Sequence, residues 1–507
     1  MLLPRTMKTP PAEAIPQLQV RRLDALYDAE RAFVDLCGNS PNAFWLDSSA
    51  VGERGRFSFI GASGGRLGAV VTYDVGAGEV QVERDGEIEV LRESIFDYLN
   101  RETRRFRHAT GELPFDFDCG FVGWFGYELK ADCDGDAVHE SPTPDAAFIF
   151  ADRLVAFDHA ERRTYVLCLT EPDDAEAGKR WIAETGRRLE SLPPLPDPAW
   201  EESDMERPPV EFRLSRSHDR YLQDIVVCKE WLARGETYEV CLTNKVLVEA
   251  TPDPLALYCT LRRVNPAPFS AFLRFGGVTV LSSSPERFLR IGRDHGVETR
   301  PIKGTRRRGE TPSEDARLAE ELRADEKSRA ENVTIVDLLR NDLGISCEFG
   351  SVRVIRLMEV ETYETVHQLV SAVRGRLREG VSPAECIRAC FPPGSMTGAP
   401  KKRTMEIIDE LEGEARGVYS GAIGYLGLGG GCDLSVAIRT IVIDGESTAI
   451  GTGGAIVVQS DPEEEYEEML LKAWAPMRAI DPAVPRPQRE AVGRMPRRYP
   501  DRRRDKE

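Results

Sequence analysis

Apolar positions fall into two regimes along the 507 residues. From about 17 to 190 they come as short β-branched and aromatic runs broken by Gly, Asp and Pro: RFSFIGASGG at 56–65, AVVTYDV at 69–75, GFVGWFGYELK at 120–130 and TYVLCL at 164–169. Such runs predict an antiparallel, sheet-dominated half. The stretch SLPPLPDPAWEESDMERPPVEF at 191–212 is dense in Pro and acid, has no apolar period, and reads as a linker. From 213 to 480 strands and amphipathic helices mix. A helix over 217–234 precedes the strand TYEVCLTNKVLVEA, and SAFLRFG and VTVLSSSP flank a tight Gly-Gly turn at 276–277. Thr311, Pro312 and Glu314 supply an N-cap, an N1 proline and a capping-box acid for one long helix, or a pair, running towards Arg340. Strands return over 417–459, and Asp461-Pro462 opens a last helix. Residues 1–16 form a Pro-rich leader. The Pro/Arg-rich tail from 481 to 507 has no apolar face and is expected to be disordered.

Composition removes several function classes. With 67 basic and 85 acidic side chains the net charge is −18, the wrong sign for a nucleic-acid surface. No apolar run approaches the roughly 18 residues of a membrane span, and the opening residues lack a signal-peptide core. The 11 cysteines are scattered, without CxxC or Cys/His zinc spacing, which implies a reduced, cytoplasmic protein. Neither GxxxxGK[ST] nor GxSxG occurs, and the six isolated histidines define no zinc site or triad by spacing. GLGGG at 427–431 lacks GxGxxG spacing and reads as a hairpin.

Four groups of residues carry candidate chemistry. In DEKSRAENVTIVDLLRND, 325–342, Glu331 sits one turn from Ile335 at the margin of the apolar face. In SDPEEEYEEMLLKA, 460–473, Glu465, Glu468 and Lys472 share one face. Such helices are either solvated acidic faces or a hard-cation site, because Mg²⁺ takes one or two carboxylates and completes its shell with water and substrate oxygens. Thr397-Gly398-Ala399-Pro400 leads into a helix whose first amides suit a carboxylate, and GTGGAIVV at 451–458 offers close backbone approach. Arg439, within the apolar strand VAIRTIVI, is either half of an interfacial salt bridge or a bidentate clamp on a substrate carboxylate. Lys303 in PIKGT is either a loop lysine or, with Glu286 of SSSPERFL, a nucleophile and its acid.

Taken in chain order, RFSFIG, GFVGWFGYE, SSSPERF, PIKGTRRRG, AENVTIVDLLRNDLG, GSMTGAPK, YSGAIGYL, AIRT and EEEYEEMLLKA resemble the chorismate-utilising enzymes. That family includes the large subunits of anthranilate synthase and aminodeoxychorismate synthase, and the isochorismate and salicylate synthases. The resemblance is co-linear over nearly the whole chain. It implies an α+β fold with a two-layer antiparallel β-sandwich core and helices outside. It also implies an N-terminal anthranilate-synthase-I-like domain over 17–190 and a chorismate-binding catalytic domain over 213–480. Two positions separate the family's reactions. Anthranilate synthases carry Ala where Lys303 stands, whereas aminodeoxychorismate synthases carry PIKGT, as here. Isochorismate and salicylate synthases place a water-activating Lys at the position of Glu239, where an acid cannot act as that base. The resemblance therefore implies amination of chorismate to 4-amino-4-deoxychorismate, the precursor of para-aminobenzoate, through a covalent intermediate on Lys303. An anthranilate or 2-amino-2-deoxyisochorismate synthase is the enzyme rival, and a degenerate regulatory paralogue the non-enzyme one.

By the same resemblance Lys303 is the nucleophile, Glu286 the acid and His367 an active-site histidine. Glu331 and Glu468 are the Mg²⁺ ligands, with Glu465 in an outer shell. Gly304, Thr305, Thr397, Tyr419, Arg439, Gly453, Gly454 and Lys472 contact substrate. Ala455 and Ser328 depart from the family's small strand residue and its acid before the metal glutamate. FWLDSS, 44–49, occupies the place where anthranilate synthases sense tryptophan. With no class I glutaminase signature in the chain, ammonia is expected from a glutamine amidotransferase subunit. A lysine of ordinary pKa, about 10.4, is protonated at neutral pH, so Lys303 calls for desolvation or a positive neighbour, and Glu286 for a raised pKa. Only 11 of the 67 basic residues are Lys. A lysine at 303 is therefore less readily dismissed as a generic charge, and arginine could not replace it as an amine nucleophile.

Overall fold

The computed structural model describes residues 15–50, 55–108, 111–193, 210–249, 252–363, 366–445 and 447–486. Most of the expected leader, linker and tail therefore lies outside the described residues. Among the described residues the frame is two antiparallel sheets of twelve strands each. The first enters from the N-terminal half through Gln17–Leu23, Arg163–Thr170, Arg153–Asp158, Phe57–Ala62 and Asn42–Asp47. It continues without a break into Phe269–Phe275, Val278–Ser284, Thr440–Asp444, Ser447–Ile456, Glu239–Val248 and Phe212–Leu214. The second is shared in the same way, where Gly120–Phe125 pairs with Ala422–Gly427. Trp45 stands opposite Phe272 at one seam and Trp124 opposite Ile423 at the other.

The α+β class and the packed antiparallel layers with helices outside follow from where the apolar residues point. Gly120–Phe125, Ala146–Ala151 and Ala422–Gly427 are buried at every position. A strand reads this way when both faces are covered. Inside, Phe59 and Phe117 meet Tyr425 of the opposite sheet, with the Phe117 and Tyr425 rings stacked at 4.6 Å. Outside, Phe96 on the helix Ile95–Arg105 stacks on Phe125 at 5.6 Å. On the other layer, Phe33, Trp45, Tyr258, Phe272 and Met477 form a second core beneath the helices Ala29–Cys37, Pro254–Val264 and Pro462–Ile480.

The long helical run resolves into a pair, Pro312–Ala324 and Glu326–Ser346, because Asp325 takes an extended conformation between them. Its carboxylate accepts from the Ser328 N–H at 2.8 Å and caps the second helix. Thr311 caps the first as expected, but the Glu314 carboxylate accepts from the Glu310 N–H instead of closing the box at Thr311. Asp461 caps Pro462–Ile480 through the Glu463 and Glu464 amides. All eleven cysteines are free thiols. Among the described residues no helix is long and apolar enough to cross a membrane.

Candidate active site

A cleft of about 2970 Å³ opens where the paired strands Glu239–Val248 and Ser447–Ile456 meet the edge strand Ile302–Arg307 of the second sheet and two helices. Ile302–Arg307 contributes Lys303, Gly304 and Thr305 to its lining, and the loop before Arg287 contributes Glu286. Helix Glu326–Ser346 presents Glu331, and helix Pro462–Ile480 presents Glu468 and Lys472. Tyr419, Arg439, Gly453 and Gly454 complete the set. Gly304 holds φ +86°, and a Cβ there would lie 2.6 Å from the Ser328 hydroxyl, so the helix packs directly on the strand that carries Lys303. A Cβ on Gly451 would meet the Tyr419 ring at 2.0 Å, and its absence lets that ring lie against the strand.

Lys303, 7% exposed, donates to Glu239 at 2.5 Å and lies 3.8 Å from Glu331. Burial favours the neutral amine, yet the Glu239 and Glu331 carboxylates outweigh it and hold the Lys303 pKa above the ordinary lysine value. Burial also raises Glu239, against the pull of Lys303. Both shifts have one consequence: the pair keeps its proton tightly. The desolvation expected for Lys303 is present, but its neighbours are negative. Its route to a free amine is therefore transfer of a proton to Glu239, whose second carboxylate oxygen is buried and unpartnered.

Burial pushes the Glu286 carboxyl up to about 7, against the lowering effects of the Ser395 hydroxyl, Lys303 and the Ile302 amide. An acid so placed still holds its proton in about half of the molecules at pH 7 and can donate it.

Three carboxylates converge on the ammonium of Lys327: Glu465 in a short hydrogen bond, and Glu331 and Glu468 each at 3.7 Å. Lys472, 2.7 Å away, is the main cause that holds Glu468 down at about 2. Among the described residues no three donors form a ready-made metal cage. The donor set nonetheless fits a hard cation. Two helices aim carboxylates at one positive charge, and one Glu465 oxygen is buried with no hydrogen-bond partner.

Three expectations meet a different geometry. Arg439 is not inside a strand; it occupies a bend at φ +54° before Thr440–Asp444, because its carbonyl turns to accept from the Ser283 N–H at 3.2 Å. The His367 side chain does not line the cleft; its ring is buried between Thr362 at 2.9 Å and Asp315 at 2.8 Å, with both nitrogens engaged. Thr397 also faces away, its hydroxyl donating to the Gly394 carbonyl at 3.2 Å and its own carbonyl receiving the Cys241 amide at 2.8 Å. Lys327 and Ser395 belong to the site without having been assigned there, and Glu239, read only as the place of another reaction's lysine, enters it as the partner of Lys303. An acid inside the apolar run EVCL and a lysine four residues before Glu331 were the available signals. Beneath the site, Arg416 donates to the Met396 carbonyl at 2.7 Å and the Cys241 carbonyl at 2.8 Å, and Glu412 neutralises it at 2.7 Å.

The chorismate binding enzyme family matches residues 61–478. The chain belongs to that family. An aminodeoxychorismate synthase of Streptomyces griseus is 51% identical over 468 residues, covering 92% of this chain and 64% of that protein. An anthranilate synthase component 1 of Pseudomonas putida is 35% identical, covering 87% of this chain and 90% of that one. The crystal structure of anthranilate synthase component I from Streptococcus pneumoniae superposes with a TM-score of 0.71 at 29% identity, over 83% of this chain and 92% of that chain. The chain thus spans less than two thirds of the length of its aminodeoxychorismate synthase relative, and most of the length of these family members with anthranilate synthase names.

Proposed function

We propose that the chain converts chorismate and ammonia into 4-amino-4-deoxychorismate and water. The observation that carries this reading is a lysine at 303, buried in the cleft and paired with an acid at 239. This is the combination that the resemblance associates with amination at C4. The 51% identical relative bears the same activity in its name.

The residues divide the work as follows. Lys303 passes a proton to Glu239 and its free amine bonds to C2 of chorismate. Both conjugated ring double bonds shift, C1=C2 to C1=C6 and C5=C6 to C4=C5, and the C4–O bond breaks as Glu286 delivers its proton to the departing hydroxyl, releasing water. Ammonia then bonds to C4, both double bonds shift back and the C2–N bond breaks, returning the amine to Lys303. The new ammonium gives its extra proton to the Glu286 carboxylate, and Glu239 returns its proton to Lys303. Arg439 and Lys472 bind the substrate carboxylates. Glu331 and Glu468 would hold Mg²⁺, with Glu465 behind them, and the bound ion would neutralise the ring carboxylate of chorismate. Such a charge would serve a dianion because Lys303, Lys327 and Lys472 are already paired with carboxylates of the site. Ammonia would come from a glutamine amidotransferase partner.

The test is incubation with chorismate, Mg²⁺ and an ammonium salt, with the product identified by mass spectrometry and NMR. Aminodeoxychorismate is expected; anthranilate or isochorismate as the main product sinks the assignment. A Lys303→Ala protein should make no aminodeoxychorismate, and an undiminished rate would remove the covalent route. Mg²⁺ alone should raise the Tm of the wild type but not that of Glu331→Gln or Glu468→Gln, because a ligand that binds only the folded state stabilises it. Equal shifts in all three would place the ion elsewhere.

A further inference from the structure

The helix Pro462–Ile480 carries a proline in its interior, at 476. Proline has no N–H, so the bond that position 476 would donate four residues back cannot form, and the Lys472 carbonyl loses its helical donor. The side chain of Arg439 supplies the missing donor. Its Nη1 donates to the Lys472 carbonyl and also reaches that of Leu471 at 3.4 Å. The Arg439 backbone is fixed as well, by the bend at φ +54° and the bond from the Ser283 amide. Among the described residues no carboxylate pairs with this guanidinium, although it lines the cleft. Burial, the largest influence on it, lowers its pKa. A half-buried guanidinium held at one nitrogen and left without a counter-anion is prepared for an anionic ligand.

We propose that Pro476 is a positioning residue for substrate binding. By deleting one N–H from the helix it frees the Lys472 carbonyl to anchor Arg439, which then turns its remaining donors towards a carboxylate in the cleft. The anchored turn also carries Lys472, and Glu468 lies one turn before it. One helix therefore sets the separation of both cationic groups from the Glu468 carboxylate. The inference rests on the reading of chorismate, a dicarboxylate, as substrate.

Pro476→Ala restores the N–H and lets the helix reclaim the Lys472 carbonyl. Alanine suits a helix interior better than proline, so the variant should keep or exceed the wild-type Tm. The KM for chorismate should rise roughly five- to tenfold, the worth of about one hydrogen bond, with kcat within about twofold of wild type. Pro476→Gly, which also restores the N–H, should do the same. In an Arg439→Gln background neither substitution should raise KM further. An unchanged KM in both variants overturns the proposal. So does an equal rise in the Arg439→Gln background, which would mean that Pro476 acts through some other contact. Either result leaves the reading of function standing, whereas a wild-type chain that consumes no chorismate overturns both together.

Discussion

Glu286→Gln should lower chorismate turnover by about 10²–10⁴-fold and at the same time make the protein more stable above pH 7. The carboxyl is 6% exposed, and burial lifts it from 4.5 to about 7. As pH rises from about 4.5 to 7 the unfolded chain gives up this proton while the folded chain retains it. The folded state therefore binds more protons in that window, and its stability falls with pH. The accumulated cost at pH 8 is about 3 kcal/mol, and glutamine, with no proton to lose, escapes it. Urea unfolding at pH 4 and pH 8 checks the claim. The two proteins should be close at the lower pH and separate at the higher. Equal differences at both values would mean that Glu286 does not hold its proton in the fold. Turnover by the wild type should itself decline above pH 7, as the acid form disappears.

Arg416→Met should cost about 3–5 kcal/mol of stability, the usual result of removing one partner from a buried ion pair. Methionine matches the length of the side chain but leaves the Glu412 carboxylate buried without its cation. It also leaves the Met396 and Cys241 carbonyls without their donors. Those carbonyls belong to the loop beside Glu286 and the strand beside Lys303, so the KM for chorismate should rise too. Equilibrium denaturation is the measurement, and a loss below about 1 kcal/mol would show that the pair is dispensable.

Which parts of this site could be read from the sequence follows from how close the interacting residues lie in the chain. Thr311, Asp461 and the Gly-Gly turn act within four residues, and their signals were legible. Glu286, Lys303, Glu331, Glu468 and Lys472 lie in motifs and all reach the cleft. The Lys303–Glu239 pair joins positions 64 residues apart on different sheets, and no periodicity registers that. Arg439 reads as a strand residue because its neighbours are apolar; only the bond to the Ser283 amide reveals the bend. His367 sits in a strand that borders the site, yet the ring turns towards Asp315, a choice made by packing. The sharing of both sheets between the halves was hidden for a similar reason. Alternation announces a strand but not its partner.

That sharing bears on synthesis. Gly276 donates to the side chain of Asn42, 234 residues earlier, and the strand Phe269–Phe275 is the partner of Asn42–Asp47. At about 5–20 residues per second a ribosome needs roughly ten to fifty seconds to supply that partner. The strand Gly120–Phe125 waits longer still for Ala422–Gly427. During that interval the nascent first half exposes two unpaired apolar edges, one bearing Trp45 and the other Trp124, and edges of that kind recruit other chains. The hazard in making this protein thus lies in the order of translation, and it ends when the second half arrives to occupy both edges.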